Sequence, residues 1–168
     1  TGERLNDVLL NILPPFDFSN IIFFFTYSTI IITMLSTLYY PGIFVRGLQA
    51  FSLITALRTA SIYFFPLDPP ADMILLVDPV SGFLLNGESV VVTKDLFFSG
   101  HTATLTLMFM CAQHKYLKTF CFIALMIAPA LLIWQHVHYT VDVLVAPFVV
   151  YGCVKFVDWA NHNFDYGK

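Results

Sequence analysis

Long uncharged segments are the feature that most limits what this chain can fold into. No Asp, Glu, Lys or Arg occurs between Asp17 and Arg46, and about twenty apolar residues suffice to cross the hydrocarbon core of a bilayer. Only 11% of the residues are charged, whereas a soluble domain usually has roughly 25%. We therefore predict an integral membrane protein and not a soluble protein with an unusually apolar core.

The same reasoning predicts an all-α helical bundle with about five membrane spans, in a single membrane-embedded domain over residues 1–168. A short amphipathic helix over 3–13 is expected to lie in the membrane interface or to pack on a partner. Pro41-Gly42 is interpreted as the turn after the first span, and Ser99 as the N-cap of the third. The predicted spans are 19–40, 44–64, 99–113, 119–136 and 138–157.

Residues 66–98 form the predicted outer loop, which is polar and acidic. Within this loop, Asn86-Gly87 separates two apolar runs, a pattern typical of a β-hairpin, here over 83–92. The opposite side of the predicted bundle carries most of the basic residues, so it is expected to be cytoplasmic. The outer loop, His101 and His138 would then share the outer or lumenal face.

Two histidine motifs begin the third and fifth predicted spans, namely Ser99-Gly100-His101-Thr102 and His138-Tyr139-Thr140-Val141-Asp142. If His138 already lies in the helix, Asp142 shares its helical face one turn later. A carboxylate there would fix the imidazole tautomer and make the other ring nitrogen a better nucleophile. We predict that His138 attacks phosphorus with Asp142 as its orienting partner, while His101 donates and accepts protons.

Four further residues are predicted to bind the phosphate. Ser99 and Gly100 stand at a helix N-terminus, which favours anions, and Arg58 and Lys94 would neutralise the phosphate oxygens. A charge within a span, such as Arg58, is often functional, but snorkelling to the membrane surface is the competing explanation.

No cofactor and no metal are predicted, and the absence of a basic patch argues against nucleic acid as a partner. The alternative left open is a metal site made of His136, His138 and Asp142, for which the sequence offers no further ligand.

The two motifs resemble those of the type-2 phosphatidic acid phosphatase superfamily of membrane lipid phosphatases and transferases. They are most similar to the sphingomyelin synthase branch, as is the segment from Arg46 through Arg58 to Asp68-Pro69. The resemblance implies six membrane helices, one of them before Thr1. It also implies transfer of phosphocholine or phosphoethanolamine from a phospholipid to ceramide, through a phosphohistidine on the outer face.

Two departures from the family pattern bear on the substrate. The superfamily's Arg shortly before the second His is absent from 131–137, as it is in the sphingomyelin synthase branch. Thr93-Lys94-Asp95 stands where that branch often has Cys-Gly-Asp. A phosphate monoester carries more charge than a diester and benefits from more cations, so a cation-poor site favours a diester.

The main hypothesis is therefore a membrane phosphotransferase that moves a phospholipid headgroup to a lipid alcohol such as ceramide. The first alternative is a lipid phosphatase that hydrolyses monoesters similar to phosphatidic acid. The second is a non-enzymatic protein that binds or transports lipid.

Overall fold

The computed structural model describes residues 5–64, 68–70, 72–78 and 98–165, of which 164 and 165 are described by their backbone alone. These residues form α-helices and no strand, which confirms the prediction of an all-α fold. The predicted hairpin at 83–92 and most of the predicted outer loop lie outside the described residues. The helices are α1 (Val8–Ile12), α2 (Ser19–Thr37), α3 (Pro41–Phe64), α4 (Gly100–Cys111), α5 (Lys115–Trp134) and α6 (Thr140–Asp165).

Capping residues and prolines set the helix boundaries. Asp7 is the N-cap of α1, and its side chain accepts a hydrogen bond from the Leu9 amide at 3.0 Å. The Ser99 hydroxyl caps α4 by accepting from the Thr102 amide at 3.3 Å. The interpretation of Pro41-Gly42 as a turn is wrong, because α3 begins at Pro41. Proline suits the first position of a helix, where its missing N–H would have no intrahelical partner.

Within the described residues, three helices are long and apolar enough to cross a membrane: α2, α5 and residues 140–163 of α6. The other two predicted spans correspond to α3 and α4, which are not among these candidates. Helix α4 has 12 residues and is therefore about 18 Å long, shorter than the roughly 30 Å hydrocarbon core.

Helix α4 lies at the centre of the bundle, in contact with α2, α3, α5 and α6. Its inner residues pack with small side chains of the neighbouring helices, and such side chains let helix backbones approach closely. The main core consists of Ala50, Ile54, Phe98, Ala103, Leu107, Cys111, Ala146, Val150, Cys153, Val154 and Val157. A second, smaller cluster joins Leu105 of α4 to Ala124 and Ala128 of α5. This packing holds the N-terminus of α4, and with it His101, in the middle of the bundle end.

Large apolar side chains cover the outside of the bundle. Phe24 of α2, Phe122 of α5 and Phe148 of α6 are all exposed. Such a surface would be a liability in water, but it suits contact with lipid chains. At the bundle end opposite His101, Arg46 of α3 forms an ion pair with Asp158 of α6, with Nη2 to Oδ2 at 2.6 Å.

Ala50 tests the packing of α3 on α4 and α6. It is fully buried in the main core, so Ala50→Leu should overpack the core and cost about 1–3 kcal/mol of stability. We expect a lower Tm in detergent by differential scanning fluorimetry. The matched control is Ala56→Leu on the exposed face of the same helix, which should leave the Tm nearly unchanged. Equal Tm values for the two variants would contradict this packing.

Candidate active site

The two histidine motifs meet where α4 and α6 begin. The Ser99 amide donates a hydrogen bond to the Asp142 carbonyl oxygen at 3.2 Å, although these residues lie far apart in the chain. Ser99, His138 and Asp142 are all buried. The starts of two helices, each with a positive dipole end, therefore lie side by side at one end of the bundle.

His138 lies in the connection between α5 and α6, two residues before α6 begins at Thr140. The expectation that His138 and Asp142 share a helical face is therefore wrong. They are close because the chain turns into the helix, and His138 Nδ1 lies 3.7 Å from Asp142 Oδ2. That distance exceeds a hydrogen bond. Among the described residues, Nδ1 has no hydrogen-bond partner.

Asp142 is fixed by the start of its own helix. Its Oδ2 accepts a hydrogen bond from the Tyr139 amide at 3.1 Å, the reciprocal contact that an acidic residue in a first turn makes with a residue just before the helix. The carboxylate is thereby aimed toward the residues that precede α6, and His138 is one of these. The Asp142 side chain therefore both caps α6 and lies beside the His138 imidazole.

His101 occupies the first turn of α4, facing α2. Its ring meets the Phe23 ring edge-on with centroids 5.5 Å apart, and Phe23 stacks on Tyr27 at 5.6 Å. The Tyr27 hydroxyl in turn donates a hydrogen bond to Asp78 Oδ2 at 2.8 Å. No site role was predicted for Phe23, Tyr27 or Asp78. A tyrosine within an apolar span is the signal that was available, because a buried hydroxyl needs a polar partner.

Arg58 reaches the same place from α3. Its guanidinium lies against the backbone of Gly100, where a Cβ atom would collide with it. Glycine at position 100 is therefore required for close approach of Arg58 to the start of α4. The Arg58 side chain turns to the bundle interior, which argues against snorkelling. Electrostatic interactions connect His101 with His138, Arg58 and Asp78.

Six of the seven predicted site residues lie in the described part of the chain. Five of them come from α3, α4, α6 and the α5–α6 connection, and the sixth, Ser99, is the N-cap of α4. Lys94, the remaining predicted phosphate ligand, lies outside the described residues. The residues brought together at this end of the bundle are Arg58, Ser99, Gly100, His101, His138 and Asp142.

Gln135 supports the site through several hydrogen bonds, and no sequence pattern singled it out. It is fully buried at the end of α5. Its Oε1 accepts from the Phe18 amide at 2.9 Å, and its Nε2 donates to the Ser19 hydroxyl at 2.9 Å. Its carbonyl oxygen accepts from the Ile74 amide at 3.3 Å. One side chain and its backbone therefore join α5, the start of α2 and the segment 72–78.

His136 points to the N-terminal segment. Its Nε2 lies 3.0 Å from the Leu13 carbonyl oxygen, and its backbone has a positive φ of 58°. Within the described ranges, no three His, Cys, Asp or Glu side chains converge as metal ligands. The alternative of a metal site made of His136, His138 and Asp142 is therefore not formed in this arrangement.

Comparisons with known proteins give a match to the segment that contains the histidine motifs and, separately, a match to the fold as a whole. Residues 94–160 match the family model described as PAP2 superfamily C-terminal. This segment contains both histidine motifs. The whole fold is similar to the crystal structure of Aquifex aeolicus LpxE, with a TM-score of 0.63 and 18% identity over 89% of this chain and 90% of that one. A search of curated proteins finds no match. At this identity the likeness to LpxE concerns the fold alone.

Gln135→Leu tests the support of the site. The leucine would leave the part-buried Phe18 amide without its partner, which costs about 1–3 kcal/mol, while the Ser19 hydroxyl would lose one bond and keep the one that it donates to Asp17. We expect a clear fall in Tm in detergent. Gln113→Leu is the control, because Gln113 is exposed and bonds only to the nearby Cys111 carbonyl. The role of Gln135 is refuted by a Tm no lower than that of the control.

Gly100→Ala tests the contact with Arg58. The added methyl group would displace the guanidinium from the start of α4, and we expect phosphate-like anions to bind more weakly by about tenfold, the scale of one charge-assisted hydrogen bond. Titration with orthovanadate measures this. Gly152→Ala is the control, because nothing lies within 4 Å of a Cβ atom there. Unchanged vanadate affinity in Gly100→Ala would show that Arg58 does not need this approach.

Proposed function

We propose that this protein is an integral membrane enzyme that transfers phosphoryl groups of lipids, and that it moves a phospholipid headgroup to a lipid alcohol such as ceramide. The observation that carries the proposal is the meeting of His138, Asp142 and the start of α4 with Arg58 at one end of the bundle. This combines a nucleophile, its carboxylate partner and an anion site. The match of residues 94–160 to the PAP2 superfamily supports phosphoryl transfer as the chemistry.

His138 acts as the nucleophile in this proposal. Since Nδ1 is the ring nitrogen nearest to Asp142, Nε2 is the nitrogen that attacks phosphorus. The bond between phosphorus and the glycerol oxygen of the donor breaks, and His101 protonates the departing diacylglycerol alkoxide. The headgroup phosphate is then bonded to His138, and Asp142 stabilises the positive charge on the imidazole.

The second step reverses the roles. His101, now neutral, takes the proton from the hydroxyl of ceramide, whose oxygen attacks phosphorus. The bond between phosphorus and His138 Nε2 breaks, and the free imidazole is restored. Arg58 and the first amides of α4 hold the phosphate oxygens in both steps, because a helix N-terminus and a guanidinium both stabilise negative charge. Lys94 is proposed as a further cation.

The small number of cations favours a diester substrate. Of the Lys and Arg residues in the described ranges, Arg58 is the one found to approach the start of α4. A dianionic monoester would be stabilised by more positive charge than this. The second candidate function, hydrolysis of a lipid phosphate monoester with water in place of ceramide, is favoured by the match to a superfamily of phosphatases. Both reactions use the same phosphohistidine.

The site is proposed to lie on the outer or lumenal face of the membrane, in a single catalytic domain with five spans. The basic residues Arg46, Lys115 and Lys118 lie near the helix ends opposite His101, and Lys155 lies in the half of α6 that is farther from His101. An excess of Lys and Arg marks the cytoplasmic side.

A product assay with His138→Ala distinguishes the candidates. Purified protein in liposomes receives labelled ceramide with phosphatidylcholine and phosphatidylethanolamine, or phosphatidic acid alone, and products are identified by mass spectrometry. We expect a labelled ceramide phosphodiester, lost by at least roughly 10³-fold in His138→Ala because removal of a covalent nucleophile abolishes the shared intermediate. The control is His114→Ala, at the other end of α4.

The other possible outcomes of this assay each lead to a different conclusion. Inorganic phosphate released from phosphatidic acid, with no ceramide product and with loss in His138→Ala, would establish the phosphatase. A turnover that survives in His138→Ala would contradict His138 as the nucleophile for either reaction.

A further inference from the structure

The connection that carries His138 is held by the N-terminal segment of the chain. Side chains and carbonyl groups in residues 7–18 contact residues 134–140, more than a hundred positions later. The hydrogen bonds are Trp134 Nε1 to the Pro14 carbonyl at 3.1 Å, His136 Nε2 to the Leu13 carbonyl at 3.0 Å, the Phe18 amide to Gln135 Oε1 at 2.9 Å, and two from Thr140 to Asp7.

Asp7 binds Thr140, two residues after His138 in the chain. Its Oδ2 accepts from the Thr140 amide at 2.7 Å, and its Oδ1 accepts from the Thr140 hydroxyl at 3.0 Å. Thr140 is the first residue of α6. The preceding amide, that of Tyr139, is bound by Asp142. Two carboxylates therefore hold two successive amides at the start of α6, where negative charge is favourable.

Apolar packing does little to keep Asp7 in place. Of the five residues of α1, only Leu10 is buried, and Val8 and Ile12 are exposed. A cavity of about 130 Å³ separates α1 from the connection, and Asp7, His136 and Tyr139 are among the residues that line it. Asp7 and α1 are therefore joined to the connection mainly by hydrogen bonds, whereas Phe18, further along the segment, also packs edge-on against Trp134 with ring centroids 5.4 Å apart. The pair of bonds from Thr140 to Asp7 is the strongest of the hydrogen bonds because the acceptor is charged.

Asp7 is ionised at neutral pH. Partial burial alone would raise the pKa of Asp7, but hydrogen bonds from Thr140 and from the first amides of α1 outweigh it and lower the pKa below its usual value of 3.8. A lowered pKa contributes stability above that usual value and loses it as the pH falls through the folded-state pKa. The contact with Thr140 is therefore fully present across the neutral range.

The geometry of the catalytic pair makes this contact consequential. His138 Nδ1 and Asp142 Oδ2 are 3.7 Å apart, so a shift of less than 1 Å decides whether they form a hydrogen bond. We infer that Asp7 is a positioning residue: by holding Thr140, it sets the place of His138 relative to Asp142. This inference rests on the proposed role of His138 as nucleophile. The N-terminal segment then belongs to the catalytic machinery and not only to the membrane interface.

Kinetics of Asp7→Ala and Asp7→Asn test this role. We expect Asp7→Ala to lower kcat by about 10–100-fold, the scale of a misplacement of about 1 Å in an active site, with KM within about twofold of the original. Asp7→Asn keeps one acceptor for Thr140 and should recover part of the loss. The control is Asn6→Ala, which removes only the exposed bond between Asn6 and Asn11 and should leave kcat unchanged. Unchanged kcat in Asp7→Ala, or an equal loss in Asn6→Ala, would overturn the inference.

A second measurement does not depend on activity. His138 is buried, so diethyl pyrocarbonate should modify it slowly, as followed by mass spectrometry of its peptide. We expect modification of His138 to be at least about fivefold faster in Asp7→Ala than in the original protein or in Asn6→Ala, because the freed connection exposes the imidazole. An unchanged rate would refute the positioning role even in an enzyme with normal turnover. A faster rate in a protein that turns over no lipid would support the positioning role and reject the proposed function.

Discussion

The hydrogen bond from the Ser99 amide to the Asp142 carbonyl oxygen is the contact on which the arrangement of this end of the molecule depends. It joins the beginnings of two helices that run in the same direction, so their positive dipole ends add at one place. A helix N-terminus alone is a modest anion site. In the proposed reaction, two of them side by side, with the Arg58 guanidinium against Gly100, would stabilise the negative charge of a phosphate much better, since all of these groups are held in place by the fold.

Backbone groups contribute to this arrangement as much as side chains do. Ser99 contributes its amide and its cap, Gly100 contributes the space that Arg58 fills, and Asp142 contributes a carbonyl oxygen as well as a carboxylate. A short motif such as Ser-Gly-His is therefore restrictive for physical reasons. A larger residue at its middle position would exclude the arginine, and a residue without a hydroxyl at its first position would leave the Thr102 amide without its cap.

Much of the fold could be predicted from the sequence because helix formation depends mainly on residues close together in the chain. Uncharged segments predicted helices, and the order of these helices predicted that His101 and His138 lie at the same end of the bundle. The precise form of the His138 pair could not be predicted, because a spacing of four residues is the same in a helix and in a turn that leads into one. The contacts of Gln135, Tyr27 and Asp78 also escaped prediction. Their partners are distant in sequence, and their positions follow from the packing of whole helices. Pro41 was misread because proline suits a turn and a first helical residue equally well.

The ion pair between Arg46 and Asp158 has a consequence for the distant end of the bundle. Together with the packing of Ala50 and Ile54 in the main core, it limits how far α3 can slide along its axis relative to α6. From Arg46 to Arg58, α3 rises by about 18 Å, and from Asp158 back to Asp142, α6 covers about 24 Å, at 1.5 Å per residue. A slip of α3 by a single residue would move the guanidinium by about 1.5 Å along the helix, half the length of a hydrogen bond. The ion pair at one end of the bundle therefore helps to determine the position of Arg58 relative to His101 and His138 at the other end.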